Sequence, residues 1–115
     1  MRSTYLRFLS LARMASNLPG LPALDPVEER LLTQLAAVWA NEHHPTVLET
    51  LRIDEGISPR TVQRRIEGLL AKGMIEYQND LTDQRVKRIA PTKLAEQYFA
   101  RLDQLMKAAQ GGQRI

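Results

Sequence analysis

The chain has 115 residues, of which 43% are hydrophobic, 25% charged and only 5% aromatic, and its formal charge is +3. That size suits one domain, or one small domain with helical extensions, around an aliphatic core, and it excludes a large two-domain catalyst. There is no cysteine, so disulfides, iron–sulfur clusters and thiolate zinc sites are excluded.

The first 20 residues superficially resemble a secretory signal, but Arg7 and Arg13 interrupt the apolar stretch. No segment reaches the length of a membrane span. A short amphipathic helix is expected over about residues 4–16, with Tyr5, Leu9 and Ala12 near one stripe and Phe8 beside it. Pro19, Gly20 and Pro22 end it and keep the link extended. Asp25, Pro26 and Glu28 then spell a capping box with proline at the first helical position. Leu31, Leu35, Val38 and Trp39 recur at helical spacing, and this helix is expected to end near Glu42.

Thr46 and Glu49 repeat the box spacing before a short helix whose apolar side is Val47, Leu48, Leu51 and Ile53. Glu55-Gly56 breaks it. Ser58 and Pro59 open a further helix running to about Lys72, with Val62, Ile66, Leu69 and Leu70 buried and Gly73 as its stop. After Gly73 the period changes. Met74, Ile75 and Tyr77 predict a strand, a polar turn runs from Asn79 to Gln84, and residues 85–89 return with Val86 and Ile89 inward. Thr92 caps a last helix to about residue 109, followed by a frayed Gly111-Gly112 tail.

The fold class is therefore mainly α with a small β-hairpin: a winged helix-turn-helix with N- and C-terminal helices for dimerisation. Residues 1–24 are the first helix and linker, residues 25–91 the winged domain and residues 92–115 the last helix and tail. Residues 25–57 carry seven acids and two arginines, whereas residues 58–93 carry eight bases and four acids. A compact basic stretch of that kind attracts a polyanion even when the total charge is small.

In a winged helix-turn-helix the second helix of the pair lies in the DNA major groove. Residues 58–72 meet its demand for one apolar side and one donor-rich side. Arg60, Gln63 and Arg64 are the expected base readers, since arginine donates two bonds to guanine and glutamine pairs with adenine. Thr61 and Arg65 are expected on phosphates, and Ser58 sits near the helix N-terminus where a phosphate could be met. Opposed to this stands an ordinary solvated helix face. In the hairpin, Arg85 is the expected minor-groove or backbone contact. Lys87 and Arg88 cannot share one face of a regular strand, so one of them is expected on phosphate; the alternative for Lys87 is protection of a sheet edge. Asp83 would repel phosphate and is expected to bind Arg85 locally.

The last helix carries a broad apolar stripe. Tyr98, Leu102, Leu105 and Met106, with Tyr5, Phe8 and Leu9, are assigned to a two-fold dimer that presents two reading helices to successive half-sites. Packing of the first helix on the last within one chain is the alternative. Adjacent His43 and His44, even with Glu42, have no third ligand at a convincing spacing and read as a solvated helix end. Trp39 reads as core rather than a stacking platform. No acid–base pair, nucleophile elbow or phosphate-cradling glycine loop is present, so neither an enzyme nor a cofactor is expected.

The stretch ISPRTVQRRIEGLLAKGMIEY resembles the reading helix and following junction of the MarR family of winged helix regulators, with Leu70, Gly73, Met74 and Ile75 at the junction. DLTDQRVKRIAPTKLA is similar to the family wing, with Asp83 and Arg85 matching its Asp-x-Arg mark and Thr92 its threonine. Pro91 stands where leucine is usual, and Ala95 where glycine is usual. The resemblance covers about residues 25–106. It implies a homodimeric, cytoplasmic, nucleoid-associated regulator of double-stranded DNA, commonly a repressor released by a small-molecule effector. Arg85 would then act at the wing tip, and Thr61, Gln63 and Arg64 would face the groove. Two alternatives stay open: a DNA-binding protein of plasmid or phage replication, partition or excision, and a winged helix that docks proteins.

Overall fold

Asp25 starts the first described helix because its carboxylate takes the free amides of the opening turn. Oδ1 accepts from the Val27 (2.9 Å) and Glu28 (2.8 Å) amides, and Glu28 Oε1 accepts from the Asp25 amide at 3.0 Å. The computed structural model describes the backbone of residues 20–111 and the side chains of residues 20–108. The helix expected over residues 4–16, with Tyr5, Phe8 and Leu9, lies outside the described residues. The described chain divides into two units. One is Leu24–Thr92, and the other includes the helix that follows it.

Within Leu24–Thr92 the order is α1 (Pro26–Trp39), α2 (Val47–Leu51), α3 (Pro59–Ala71), β1 (Ile75–Asn79) and β2 (Lys87–Pro91). Helix α1 packs on α3, and α2 packs on both α3 and β2. The core of this unit is Leu31, Leu32 and Leu35 from α1, Val62, Ile66 and Leu69 from α3, then Met74, Ile75, Ile89 and Ala90. Each fully buried Leu or Ile contributes about 1.5–3 kcal/mol of transfer free energy, so this cluster is what holds α3 to its support.

Two sequence expectations shift. Helix α1 stops at Trp39 rather than near Glu42, because Glu42 turns into the left-handed region (φ 58°) and Pro45 follows. That turn carries Pro45 to the wing, where its carbonyl accepts from the Ile89 amide at 2.8 Å and Thr46 bridges Arg88. In α2 the buried side chain is Thr50, and Leu48 faces outward at 58% exposure. Thr50 can be buried because its hydroxyl donates to the Thr46 carbonyl (2.8 Å). On β1, Ile75 is buried and Tyr77 is exposed.

Gly73 closes α3 as expected. It takes φ 74°, its amide donates to the Leu70 carbonyl and the Met74 amide donates to the Leu69 carbonyl, both at 3.0 Å. This is a Schellman cap, and Met74 beyond it is fully buried. The chain enters an antiparallel hairpin with Tyr77 opposite Ile89 and Asn79 opposite Lys87. Thr92 ties the hairpin's end to the end of α3 through its hydroxyl, which donates to the Gly73 carbonyl (2.5 Å).

The last helix, α4 (Lys93–Gly111), carries Ala95 and Tyr98 as buried residues. The Tyr98 and Phe99 rings meet edge to face with centroids 5.9 Å apart. Leu102 and Leu105 are half-buried and Met106 is exposed. No helix among the described residues is long and apolar enough to cross a membrane.

Candidate nucleic-acid interface

Helix α3 has two chemically distinct sides. Val62, Ile66 and Leu69 are buried, whereas Arg60 and Arg64 are exposed. Ser58 caps it, with Oγ accepting from the Thr61 amide (3.3 Å) and sharing a hydrogen bond with Thr61 Oγ1 (2.8 Å). Gln63 is half-buried and its amide donates to Glu67 Oε2 (3.3 Å), a weak tether on the same helix. Arg65 is half-buried on the flank, in a small crevice shared with Arg30, Asp54 and Ile57. Among the described residues, Arg60, Arg64 and Arg65 have no ion pair, so three guanidinium groups on one helix keep their charge uncompensated.

Two ion pairs hold α3 and the loop before it. Lys72 at the end of α3 donates to Glu28 Oε1, joining α3 to the α1 cap across a partly buried contact. Arg30 of α1 reaches Asp54 Oδ2 (2.8 Å) in the loop before α3. The Gly56 amide donates to the other oxygen of that carboxylate (3.1 Å). These contacts hold the Asp54 carboxyl below its ordinary range, the Gly56 amide first and Arg30 after it.

The wing is braced at Asp80. Its Oδ2 accepts from the Thr82 hydroxyl (2.7 Å) and from the Thr82 and Asp83 amides (both 3.1 Å), and its Oδ1 from Arg88 Nε (2.5 Å). Arg88 comes first and Thr82 second in holding the Asp80 carboxyl far below the ordinary 3.8. Arg88 also donates to the His44 carbonyl (2.7 Å). One guanidinium therefore ties the wing tip to the turn before α2. Arg88, expected as one of two candidates for a phosphate, is spent on that brace. Lys87 is exposed and donates to Asn79 Oδ1 (2.6 Å) across the hairpin.

Asp83 binds Arg85 as expected. The Arg85 amide, Nε and a terminal nitrogen all donate to its carboxylate at 3.0–3.2 Å. This lowers the Asp83 pKa, the Arg85 side chain acting first, and leaves Arg85 91% exposed beside that carboxylate. Leu81, at the tip, is fully exposed.

His43 Nε2 lies 3.2 Å from Glu49 Oε1, the carboxylate oxygen that also accepts from the Thr46 amide at 2.8 Å. It is a helix-cap neighbour, and no group of three or more metal-ligating side chains exists among the described residues. Trp39 is half-buried and its indole donates to the Ile89 carbonyl (3.0 Å), a link between α1 and the wing that sequence spacing does not reveal.

No family model and no curated protein matches the sequence. Solved structures do match. A MepR variant from a multidrug-resistant S. aureus clinical isolate aligns with TM-score 0.65 at 18% identity, over 97% of this chain and 81% of its own. A MarR-family transcriptional regulator from Rhodococcus aligns with TM-score 0.53 at 18% identity, over 90% and 69%. BpsR from Bordetella bronchiseptica, whose DNA binding is regulated by 6-hydroxynicotinic acid, aligns with TM-score 0.51 at 18% identity, over 95% and 75%. The chain thus has the winged helix fold found in MarR-family regulators.

Proposed function

We propose that this chain is a transcription regulator that binds double-stranded DNA as a homodimer, with α3 in the major groove and the wing on the adjacent backbone or minor groove. One observation carries the reading. Arg60 and Arg64 are exposed on the side of α3 opposite Val62 and Ile66, and among the described residues no acid forms an ion pair with them. The likeness in fold to regulators of DNA supports the same reading. In it, Arg60, Gln63 and Arg64 read base edges, while Thr61, Arg65, Lys87 and the Ser58 end of the helix meet phosphates. Arg85 serves the wing tip, and Arg88 supports the wing from within.

Dimerisation falls to α4 and the N-terminal segment. Tyr98 is buried within the single chain, so of the side chains assigned to the dimer on α4, Leu102, Leu105 and Met106 have area left to cover. Repression by operator occupancy, release by a small effector and residence on the cytoplasmic nucleoid belong to the same proposal; neither an enzyme active site nor a cofactor does.

The test is selection of bound sequences from a random duplex pool, followed by titration of the best site. The wild type is expected to enrich a two-fold symmetric site. Arg64→Ala is expected to lose about 1–3 kcal/mol of discrimination at one base pair per half-site. A wild-type protein that enriches nothing and binds duplexes independently of salt would overturn the proposal.

A further inference from the structure

We propose that the groove between the start of α2 and the returning strand of the wing seats the deoxyribose–phosphate backbone of duplex DNA, with Leu48 as its apolar contact. The inference rests on the DNA-binding reading above and adds a residue that reading does not use. The groove encloses about 410 Å³ and is lined by Thr46, Val47, Leu48, Arg85, Val86 and Lys87.

Its floor and its rim differ in chemistry. Val47 and Val86 are half-buried and Leu48 is 58% exposed, so the floor is aliphatic. Arg85 and Lys87 on the wing side are exposed and cationic. Both cations are held in position, Arg85 by Asp83 and Lys87 by Asn79. Leu48 contributes little to the core, because Thr50 fills the inward side of its helix. A leucine left in water beside two cations matches a ligand that alternates apolar and anionic surface. The sugar–phosphate backbone is such a ligand.

The position of the groove favours DNA over an acidic amphipathic peptide, which would satisfy the same chemistry. One wall belongs to α2, which packs on α3, and the other to the wing. With α3 in the major groove and the wing in the next groove, as the DNA reading has them, one phosphodiester strand separates the two, and the groove opens beside it between the wing and the helix that packs on α3.

The experiment uses the full chain and a labelled mixed-sequence DNA duplex, followed by fluorescence anisotropy over a salt series. Covering the exposed half of a leucine predicts that Leu48→Ser binds about fivefold more weakly at every salt concentration. Its plot of log affinity against log salt stays parallel to that of the wild type, because no charge has been removed. Leu48→Met retains wild-type affinity, and Lys87→Ala flattens the slope by about 1. Circular dichroism melts confirm that each variant folds. Wild-type affinity for Leu48→Ser overturns the inference while the DNA reading stands, and the more so if an acidic amphipathic peptide binds the wild type but not the variant. A flattened slope for Leu48→Ser also overturns it, since the substitution would then be acting through the cations. Salt-independent binding by the wild type sinks the DNA reading itself.

Discussion

Gly68 lies in the middle of α3, where alanine ordinarily stabilises a helix by about 1 kcal/mol. Here the sign is expected to reverse. A Cβ at Gly68 would fall well inside van der Waals contact of Glu28 Oε2. The Glu28 side chain is only 8% exposed, and its other oxygen holds both the Asp25 amide and Lys72. Moving the carboxylate aside weakens hydrogen bonds to charged groups, at a cost of about 2 kcal/mol against the helix gain. The net effect of Gly68→Ala is then a loss of about 1 kcal/mol, which for a small domain lowers Tm by about 4–8 °C. Thermal melts of the single variant, of Glu28→Ala and of the double variant isolate the collision. With Glu28 removed, Gly68→Ala should recover its helix benefit of about 1 kcal/mol, a coupling of about 2 kcal/mol between the sites. Stabilisation by Gly68→Ala in the wild-type background would refute the reasoning, because Glu28 would then have room to swing while keeping both bonds.

Two further outcomes follow from the wing and the last helix. The folded Asp80 carboxyl lies far below its ordinary 3.8, so its contribution to the wing is complete above the ordinary value and is lost as pH falls below it toward the folded value. In an NMR titration the Asp80 carboxyl and the Thr82 and Asp83 amides should stay unshifted at pH values where freely exposed aspartates protonate, and Arg88→Ala should raise that midpoint; an Asp80 midpoint at 3.8 in the wild type would contradict the brace. Deleting residues 101–115 removes Leu102, Leu105 and Met106 and should give monomers by light scattering with much poorer operator affinity, whereas a fully dimeric truncation would contradict the assigned interface.

The local devices of this fold are written in short spacings. Asp25-x-x-Glu28, Thr46-x-x-Glu49 and Ser58-Pro59 mark the starts of α1, α2 and α3, and Gly73 the stop of α3, because each cap satisfies amides or carbonyls within a few residues. The division of α3 into a buried and an exposed side is legible for the same reason, since four aliphatic positions at helical spacing leave Arg60 and Arg64 only one way to point. What escapes is decided by partners far along the chain. Arg88 reads as one more wing cation until His44, 44 residues away, supplies a carbonyl. Leu48 reads as core because a five-residue helix has too few turns to define a face, and burial of Thr50 depends on a hydroxyl bond back to Thr46. Nothing in the spacing around Gly68 announces that Glu28 lies against it.

The same distinction between committed and free charge predicts how the protein should respond to salt. Counting residues 58–93 by sequence treats every base alike, yet Lys72 and Arg88 are paired with Glu28 and Asp80 inside the fold, and Arg85 with Asp83 at its surface. A paired cation releases few counterions when DNA binds, because its partner carboxylate has already replaced them. Arg60, Arg64 and Arg65 have no such partner among the described residues. Each that meets a phosphate contributes about 0.9 to the slope of log affinity against log salt. Substituting Arg65 with alanine should therefore flatten the slope by about 1, as expected of a phosphate contact. Arg88→Ala should weaken binding by loosening the wing and leave the slope nearly unchanged. Reversal of that pair of results, with Arg88→Ala flattening the slope and Arg65→Ala leaving it intact, would mean that the guanidinium tied to Asp80 leaves its brace to meet DNA.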